Sequence, residues 1–482
     1  MKYNNPVIPG FNPDPSVCRV GEDYYLVTSS FEYFPGIPLY HSRDLVNWRQ
    51  VGYCLTRKSQ LDLTNIPAGD GIWAPTIRYH NGRFYLTCTV MGGIGNFLVY
   101  TDDIYGEWSD PVLIDFTGID PSLFFDDDGC VYYTGTGYTD NKYGIHIFRL
   151  DVETGKIKTE PKMIWSGTGA YPEAPHIYKI NGLYYLLIAE GGTDYGHMSS
   201  IARSASVFGP YEPCADNPII SNRSLDLPVA CTGHADIIQA HNGSWWAVCL
   251  ATRPVGYPSY HPLGRETFLA SVTWTEDGWP VVNQNGTINT VMEADCLPEH
   301  IWPQPGARDS FDRPELGLCW NFLRNPVPDS WSLVDRKGFL ALNGLSSNLD
   351  GIDPVAFIGR RQQHFAVSVR TLLEFNPAEG EEAGLTALIS NSLHYELAVT
   401  MSGGVRQVIF RRRIGTLQKV ENSIICDHNP IILGIDADWD MYKFFIEAHG
   451  EKTYIGQGEA RYLSSEAGAA FTGVFFGIYA TG

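Results

Sequence analysis

PDPSVCRVGEDYYLVT (13–28), WAPTIRYHNGRFYLTC (73–88), IDPSLFFDDDGCVYYTG (119–135), EAPHIYKINGLYYLLIA (173–189) and HADIIQAHNGSWWAVCL (234–250) are five versions of one pattern. Each carries a small or acidic residue at or near its start, continues as an apolar strand, turns, and returns through two adjacent aromatics. The turns GED, NGR, DDDG, NGL and NGS suit tight hairpins between strands. The second aromatics, Tyr25, Tyr85, Tyr133, Tyr185 and Trp246, are spaced by 60, 48, 52 and 61 residues. A second hairpin follows in several units, as in YHSRDLVNW (40–48), YTDDIYGEW (100–108) and RSASVFGPY (203–211). Two hairpins per unit make four strands. Five four-stranded units of this period predict a five-bladed β-propeller.

The rest of the chain sets bounds on this reading. Its 482 residues leave room for more than one domain. The propeller is expected over residues 1–300. The stretch 281–308, rich in Pro, Gly, Asn and Gln, reads as a linker. From 309 to 482 short alternating segments such as QHFAVSVRTLLEF, YELAVTM and YKFFIEA predict a β-sandwich. The chain is therefore all-β. With 34 basic and 54 acidic residues the net charge is −20, which disfavours nucleic acid as a partner. No apolar run is long enough to span a bilayer as a helix, and no membrane partner is expected. The opening MKYNNPVIPGFNPDPS has no apolar signal-peptide core, so the expected location is the cytoplasm. The ten cysteines are scattered with no CxxC pair, and free thiols are expected.

In a propeller the innermost strand of each blade lines a central channel, so equivalent repeat positions converge. Counting back eleven residues from the aromatics, or thirteen in the third unit, reaches Asp14, Ala74, Asp120, Ala174 and Ala235. Beside the three alanines stand Trp73, Glu173 and His234. Three carboxylates, an indole and an imidazole thus meet at one mouth. Like charges so close are unfavourable unless one stays protonated or something binds, and a strand-start capping role would not explain all three together. Paired carboxylates among aromatic walls suit glycosidic bond cleavage. No HExxH, cysteine cluster or GxSxG is present, and MGGIGN (91–96) does not open a helix.

At these motifs the chain resembles glycoside hydrolase family 43, in the branch of β-xylosidases and α-L-arabinofuranosidases with a concanavalin-like β-sandwich appended. The resemblance runs through NPDPS, GIWAP (71–75), IDPSLFFDDDG (119–129), EAPHIY (173–178), AEGGT (189–193), GHADI (233–237) and PLGRET (262–267). It continues into the second domain at RDSFDRPELGLCWNFLRNP (308–326) and FTGVFFGIYATG (471–482). It implies a five-bladed propeller and inverting hydrolysis. Asp14 would be the general base, Glu173 the general acid, and Asp120 the group that tunes and orients the acid. An inverting pair would stand about 6.5–9.5 Å apart.

The resemblance further implies that Phe31 and Trp73 wall the terminal sugar, with a core role as the alternative for Trp73. Arg265 would bind sugar hydroxyls or pair with Asp120, or else form a structural ion pair. Thr193 would touch the leaving sugar or simply serve a turn. Phe471 would close the pocket from the sandwich. His234 matches a histidine that in some relatives lies near a divalent ion or water, and a structural histidine is the competing reading. No cofactor is required. A pocket closed on one side admits only a chain end, so exo-action is expected. Release of β-D-xylose from xylo-oligosaccharides is the first reading and α-L-arabinofuranosidase activity the second. A sugar-binding propeller without catalysis is the remote third. A homo-oligomer is compatible with the resemblance. Relatives usually continue past this point with an aromatic-rich D-x-F/W strand, so either the sequence is shortened at Gly482 or the sandwich lacks its last strand, and an open edge there would invite pairing with another chain.

Overall fold

The computed structural model describes residues 2–139, 141–295, 297–468 and 471–482. Each repeat forms one antiparallel four-stranded sheet. The sheets comprise Ser16–Val20, Asp23–Val27, Gly36–Ser42 and Arg49–Leu55 in blade 1. Blade 2 holds Gly71–His80, Arg83–Met91, Gly95–Thr101 and Val112–Leu113, and blade 3 Gly118–Phe125, Val131–Thr139, Lys142–Arg149 and Lys162–Trp165. Blade 4 holds Glu173–Ile180, Leu183–Glu190, Met198–Ser204 and Glu212–Pro213, and blade 5 Ala230–Gln239, Trp245–Thr252, Glu266–Trp274 and Pro280–Val282. The first hairpins of blades 2 and 4 turn on Asn81-Gly82 and Asn181-Gly182, all with positive φ. That is the backbone of a type I′ turn, which Asn-Gly favours because its twist matches the strands.

The strand register corrects the repeat alignment in two places. Cys18 faces Tyr25, Arg78 faces Tyr85, Phe124 faces Tyr132, Tyr178 faces Tyr185 and Ile238 faces Trp246. Four residues before each first partner stand Asp14, Ala74, Asp120, Ala174 and His234. The fifth equivalent is therefore His234, not Ala235, because the blade 5 turn is one residue longer. In blade 3 the matching aromatic is Tyr132, not Tyr133. All five equivalents have left-handed backbone, with φ of 54°, 33°, 55°, 53° and 49°. In blades 2 to 5 this residue lies within a β-bulge, where the register slips. A bulge bends the strand and re-aims its side chains, here toward the channel mouth.

Residues 2–12 close the ring. Lys2–Asn4 pairs with Val291–Glu293, Val7 donates to the Thr267 carbonyl (2.9 Å), and Asn5 exchanges two hydrogen bonds with Leu269. The stretch 281–308 is thus not only a linker, since it supplies the last strand of blade 5 and this closing strand.

The sandwich packs an eight-stranded sheet on a four-stranded one. The larger runs in the order Leu417–Ile425, Val405–Ile414, Leu393–Ser402, Glu382–Ser390, Phe475–Thr481, Ala356–Arg361, Asn321–Leu323, Tyr33–Phe34. The smaller contains Val367–Leu373, Ile431–Ala437, Met441–Ala448 and Glu451–Glu459, and the two share a core that includes Leu397, Phe410, Leu433 and Phe444. Two features were absent from the sequence reading. Tyr33 and Phe34 leave blade 1 to become the sandwich's edge strand, and Tyr33 stacks on Phe475 at 3.8 Å. The strand Phe475–Thr481 is paired on both sides, by Ala356–Arg361 and Glu382–Ser390, so it is an interior strand with no open edge of its own. Among the described residues none of the cysteines forms a disulfide, and seven are buried.

One buried charge cluster sets a pH limit on the sandwich. His394, fully buried, lies 3.4 Å from Asp350 and 3.2 Å from Glu396. Glu396 is also held by Arg411 (2.6 Å) and the Tyr479 hydroxyl (2.5 Å). Burial opposes the imidazolium, but the two carboxylates outweigh it and raise His394 to about 9. A folded-state value above the unfolded value of about 6.5 stabilises the fold below pH 6.5, and that stability is lost as pH rises through 9. The sandwich's thermal midpoint is expected to fall between pH 6.5 and 9, reflecting a loss of roughly 3 kcal/mol. His394→Gln should flatten that part of the profile, as calorimetry would read.

Candidate active site

Ring closure brings the first acid to its partner. The Asn12 amide donates to the Arg265 carbonyl (3.0 Å), and Thr267 donates to the Asn12 carbonyl (2.8 Å). Two residues on, Asp14 meets the Arg265 guanidinium, with Nη1 to Oδ1 at 3.0 Å. This settles the arginine's partner as Asp14 rather than Asp120. The other oxygen of Asp14 accepts the Ser29 hydroxyl (2.5 Å), and Ser29 in turn accepts the Ala74 amide (2.7 Å). His234 stands with Nδ1 3.6 Å from Asp14. In blade 3 the link is direct, because Asp120 accepts the Ala174 amide at 3.0 Å. That bond fixes Asp120 beside Glu173.

The acids share a place but not a charge state. Burial pushes Asp14 up, yet Arg265, His234 and the Ser29 hydroxyl hold it below the usual carboxylate range. Among the described residues Glu173 forms no ion pair with a cation, and burial followed by the charge of Asp14, partly offset by Arg265, raises it to about 7. Asp120 is raised well above its ordinary value by burial, Glu173 and Asp14. His234 is pushed down by burial, against the opposing pull of Asp14. The surroundings thus drive Asp14 and Glu173 in opposite directions, one toward the ionised and the other toward the protonated form.

The remaining residues form walls and struts. Trp73 is half-buried and donates its indole N–H to the Gly69 carbonyl (2.9 Å). Phe471 stacks on Phe31 at 6.0 Å and meets Trp73 edge-on at 5.8 Å. Phe31 is only 3% exposed, so it mainly braces the other two rings. It bridges to Ile72, and a Cβ on Gly71 would lie 2.4 Å from the Phe31 carbonyl oxygen. Only glycine permits that approach, and its φ of 92° also requires glycine. Thr193 accepts from Arg265 at 3.2 Å, and the Phe471 carbonyl accepts from the same guanidinium at 3.2 Å.

The sequence reading missed Ser29, which nothing in TSS (28–30) singles out. It also missed Tyr143, whose phenol burial and both Glu173 and Asp120 push up. Below the acids a second layer, Ser16, His176 and Asp236 with Arg78 and Tyr178 reaching into it, forms a buried network. Beyond it a cavity of 340 Å³, lined by Arg19, Lys179 and Trp245 among others, opens at the far mouth of the channel, away from the acids. Among the described residues no three His, Cys, Asp or Glu side chains are placed to hold a metal ion. His234 has Asp14 beside it, and that carboxylate is already engaged by Arg265.

A pocket that keeps one carboxyl protonated beside another kept ionised can protonate a leaving oxygen while activating water, which is the work of a glycoside hydrolase. Residues 3–280 match the family model of glycosyl hydrolases family 43. Residues 308–482 match the β-xylosidase C-terminal concanavalin A-like domain. The chain belongs to glycosyl hydrolases family 43. It is 43% identical to the non-reducing end α-L-arabinofuranosidase BoGH43B of Bacteroides ovatus, over 100% of this chain and 91% of that one. It is 39% identical to a xylosidase/arabinosidase of Butyrivibrio fibrisolvens, over 99% and 95%. The crystal structure of a xylan β-1,4-xylosidase from Bacillus halodurans superposes with a TM-score of 0.94 at 35% identity, covering 99% and 96%.

Arg265 is the cation that separates the two carboxyls, so its removal should raise Asp14. Arg265→Gln is expected to move the acid limb of the kcat/KM profile upward by roughly one pH unit or more, with a fall in kcat of at least about 100-fold. A pH–rate profile checks both.

Proposed function

We propose that this enzyme is an exo-acting, inverting hydrolase that removes a terminal pentose, β-D-xylose from xylo-oligosaccharides in the first place. The observation that carries this reading is the opposite displacement of Asp14 and Glu173 within one buried pocket. Asp14, ionised, takes a proton from water as the water attacks the anomeric carbon. Glu173, protonated, gives its proton to the departing glycosidic oxygen. Asp120, raised by the same surroundings, orients Glu173 through its bond to the Ala174 amide, while burial and the charge of Asp14 keep Glu173 protonated. Arg265 holds Asp14 ionised, and Trp73, braced by Phe31, offers a ring to the apolar face of the sugar. Phe471 limits the pocket to one chain end.

The sugar is the part on which relatives differ. The 43% identical relative is named an α-L-arabinofuranosidase and the 39% one a xylosidase/arabinosidase. The first of these supports a second reading, arabinofuranosidase as the main activity, with the acids keeping their roles. Measuring kcat/KM on aryl β-D-xylopyranoside and aryl α-L-arabinofuranoside with one preparation decides between them. Proton NMR of the first turnover products should show the α anomer from a β-xyloside, and initial release of the β anomer would exclude inversion.

The proton on Glu173 sets the alkaline side of the profile. Because its value is raised to about 7, kcat/KM is expected to fall as pH rises through 7. Glu173→Ala should lose activity on oligosaccharides about 100-fold or more while sparing aryl glycosides with good leaving groups, which need less protonation. Asp14→Ala should be severe on both, since no leaving group replaces the base. Equal losses in Glu173→Ala on the two substrate types would remove it from the acid role.

A further inference from the structure

The sandwich segment that carries Phe471 is held from both sides by two propeller loops, 193–197 and 260–265. On the pocket side Arg265 ties Thr193 and the Phe471 carbonyl together, as described above. After Phe471 the two backbones are in direct apposition. Val474 donates to the Pro262 carbonyl (3.0 Å), and a Cβ on Gly473 would lie 2.4 Å from the Leu263 carbonyl oxygen. Five residues before Phe471 lies Glu466, in the single helical turn Ser465–Gly468. Its carboxylate accepts the His261 amide (3.2 Å) and the Tyr195 hydroxyl (3.3 Å), and lies 2.6 Å from His261 Nδ1. Burial opposes the charge of Glu466, yet its bonds with His261 hold the carboxyl below the ordinary range. The same two loops therefore supply one residue each to Arg265's knot, Thr193 and Arg265, and one each to this one, Tyr195 and His261.

We propose that Glu466, gripped by His261 and Tyr195, is a positioning residue for Phe471: it sets where that ring stands over Phe31 and Trp73, and so how firmly the pocket holds a terminal sugar. The inference rests on the reading of Phe471 as a pocket wall. Phe471 is 38% exposed and its ring lies 5.8–6.0 Å from its two aromatic neighbours. Contacts of that kind do not lock a loop by themselves, so its place is set by charge-assisted hydrogen bonds, from Arg265 at the Phe471 carbonyl and at Glu466 five positions earlier in sequence. Glu466 is not in contact with the three acids, so its loss should alter grip more than chemistry.

The test is a double-mutant cycle in the full chain, read as separate kcat and KM on the preferred aryl pentoside. Glu466→Ala is expected to raise KM roughly five- to tenfold with kcat within about twofold of the parent. Tyr195→Phe, which removes one hydroxyl only, should raise KM by about twofold and keeps the test available if Glu466→Ala folds poorly. In a Phe471→Ala background neither substitution should raise KM further. Additive effects in that background, or unchanged KM in both Glu466→Ala and Tyr195→Phe, would overturn the clamp. Loss of kcat with KM unchanged would also overturn it. If Phe471→Ala itself has the parental KM, the pocket-wall reading fails instead, and the clamp falls with it. If Phe471→Ala raises KM while Glu466→Ala does not, the clamp alone fails.

Discussion

The buried contact between Arg265 and Asp14 is the interaction on which the rest of the structure depends. Taking both charges from water is expensive, and further polar contacts to each partner offset part of that cost. Ser29 and His234 attend the carboxylate. Thr193 and the Phe471 carbonyl attend the guanidinium. These partners come from four different places: blade 1, blade 5, the loop after blade 4's second strand, and the sandwich. Forming the pair therefore requires that the ring be closed and the second domain be seated. The N-terminal segment lying along Glu266–Trp274 accomplishes the first, and the exchange of Tyr33–Phe34 into the larger sandwich sheet accomplishes the second.

One cation among three carboxylates also explains why their charge states differ. The described pocket offers Asp14 a neutralising partner and gives Glu173 none. The charge that remains on Asp14 then acts on Glu173 and Asp120 and raises both. A symmetric arrangement would leave the protons shared. The asymmetry follows from which blade faces which: Arg265 arises at the start of blade 5's third strand, next to blade 1 and away from blade 3. The backbone contributes as well. Five left-handed residues at one level of a channel carry a strain of about 1–2 kcal/mol each, and the Ala74 and Ala174 amides at that level are held by Ser29 and Asp120 of the preceding blades. The strain is tolerated because it turns side chains toward a common centre.

Much of this was readable in the residues. Hairpins are local, and Asn-Gly turns, paired aromatics and apolar runs announce them without reference to the rest of the chain. Repetition then did what a single strand cannot: five equivalent starts had to converge, which brought Asp14, Asp120 and Glu173 together before any coordinate was known. The errors arose where local spacing is a poor ruler. A turn one residue longer shifted the fifth unit from His234 to Ala235, and the third unit was anchored on Tyr133 in place of Tyr132. The Pro- and Gly-rich 281–308 looked like a tether, yet it holds strands whose partners lie far away, at the N-terminus and in blade 5. Ser29, Tyr195, His261 and Glu466 carry no signal, since serine, tyrosine and single charges occur everywhere on strand ends and loops.

By itself, then, the sequence determined the repeat, the blade count, the two-part all-β organisation and the identity of the three acids, because these rest on periodicity and on hydrogen bonding between near neighbours. Only the tertiary structure decided which acid receives the arginine, which one is therefore held toward the ionised form, and how the sandwich segments at Phe471 and Glu466 are tied to the propeller loops. Those outcomes depend on distances between residues as much as 271 positions apart, such as Tyr195 and Glu466. Electrostatic energy follows separation in space and burial, neither of which is encoded at any single place along the chain.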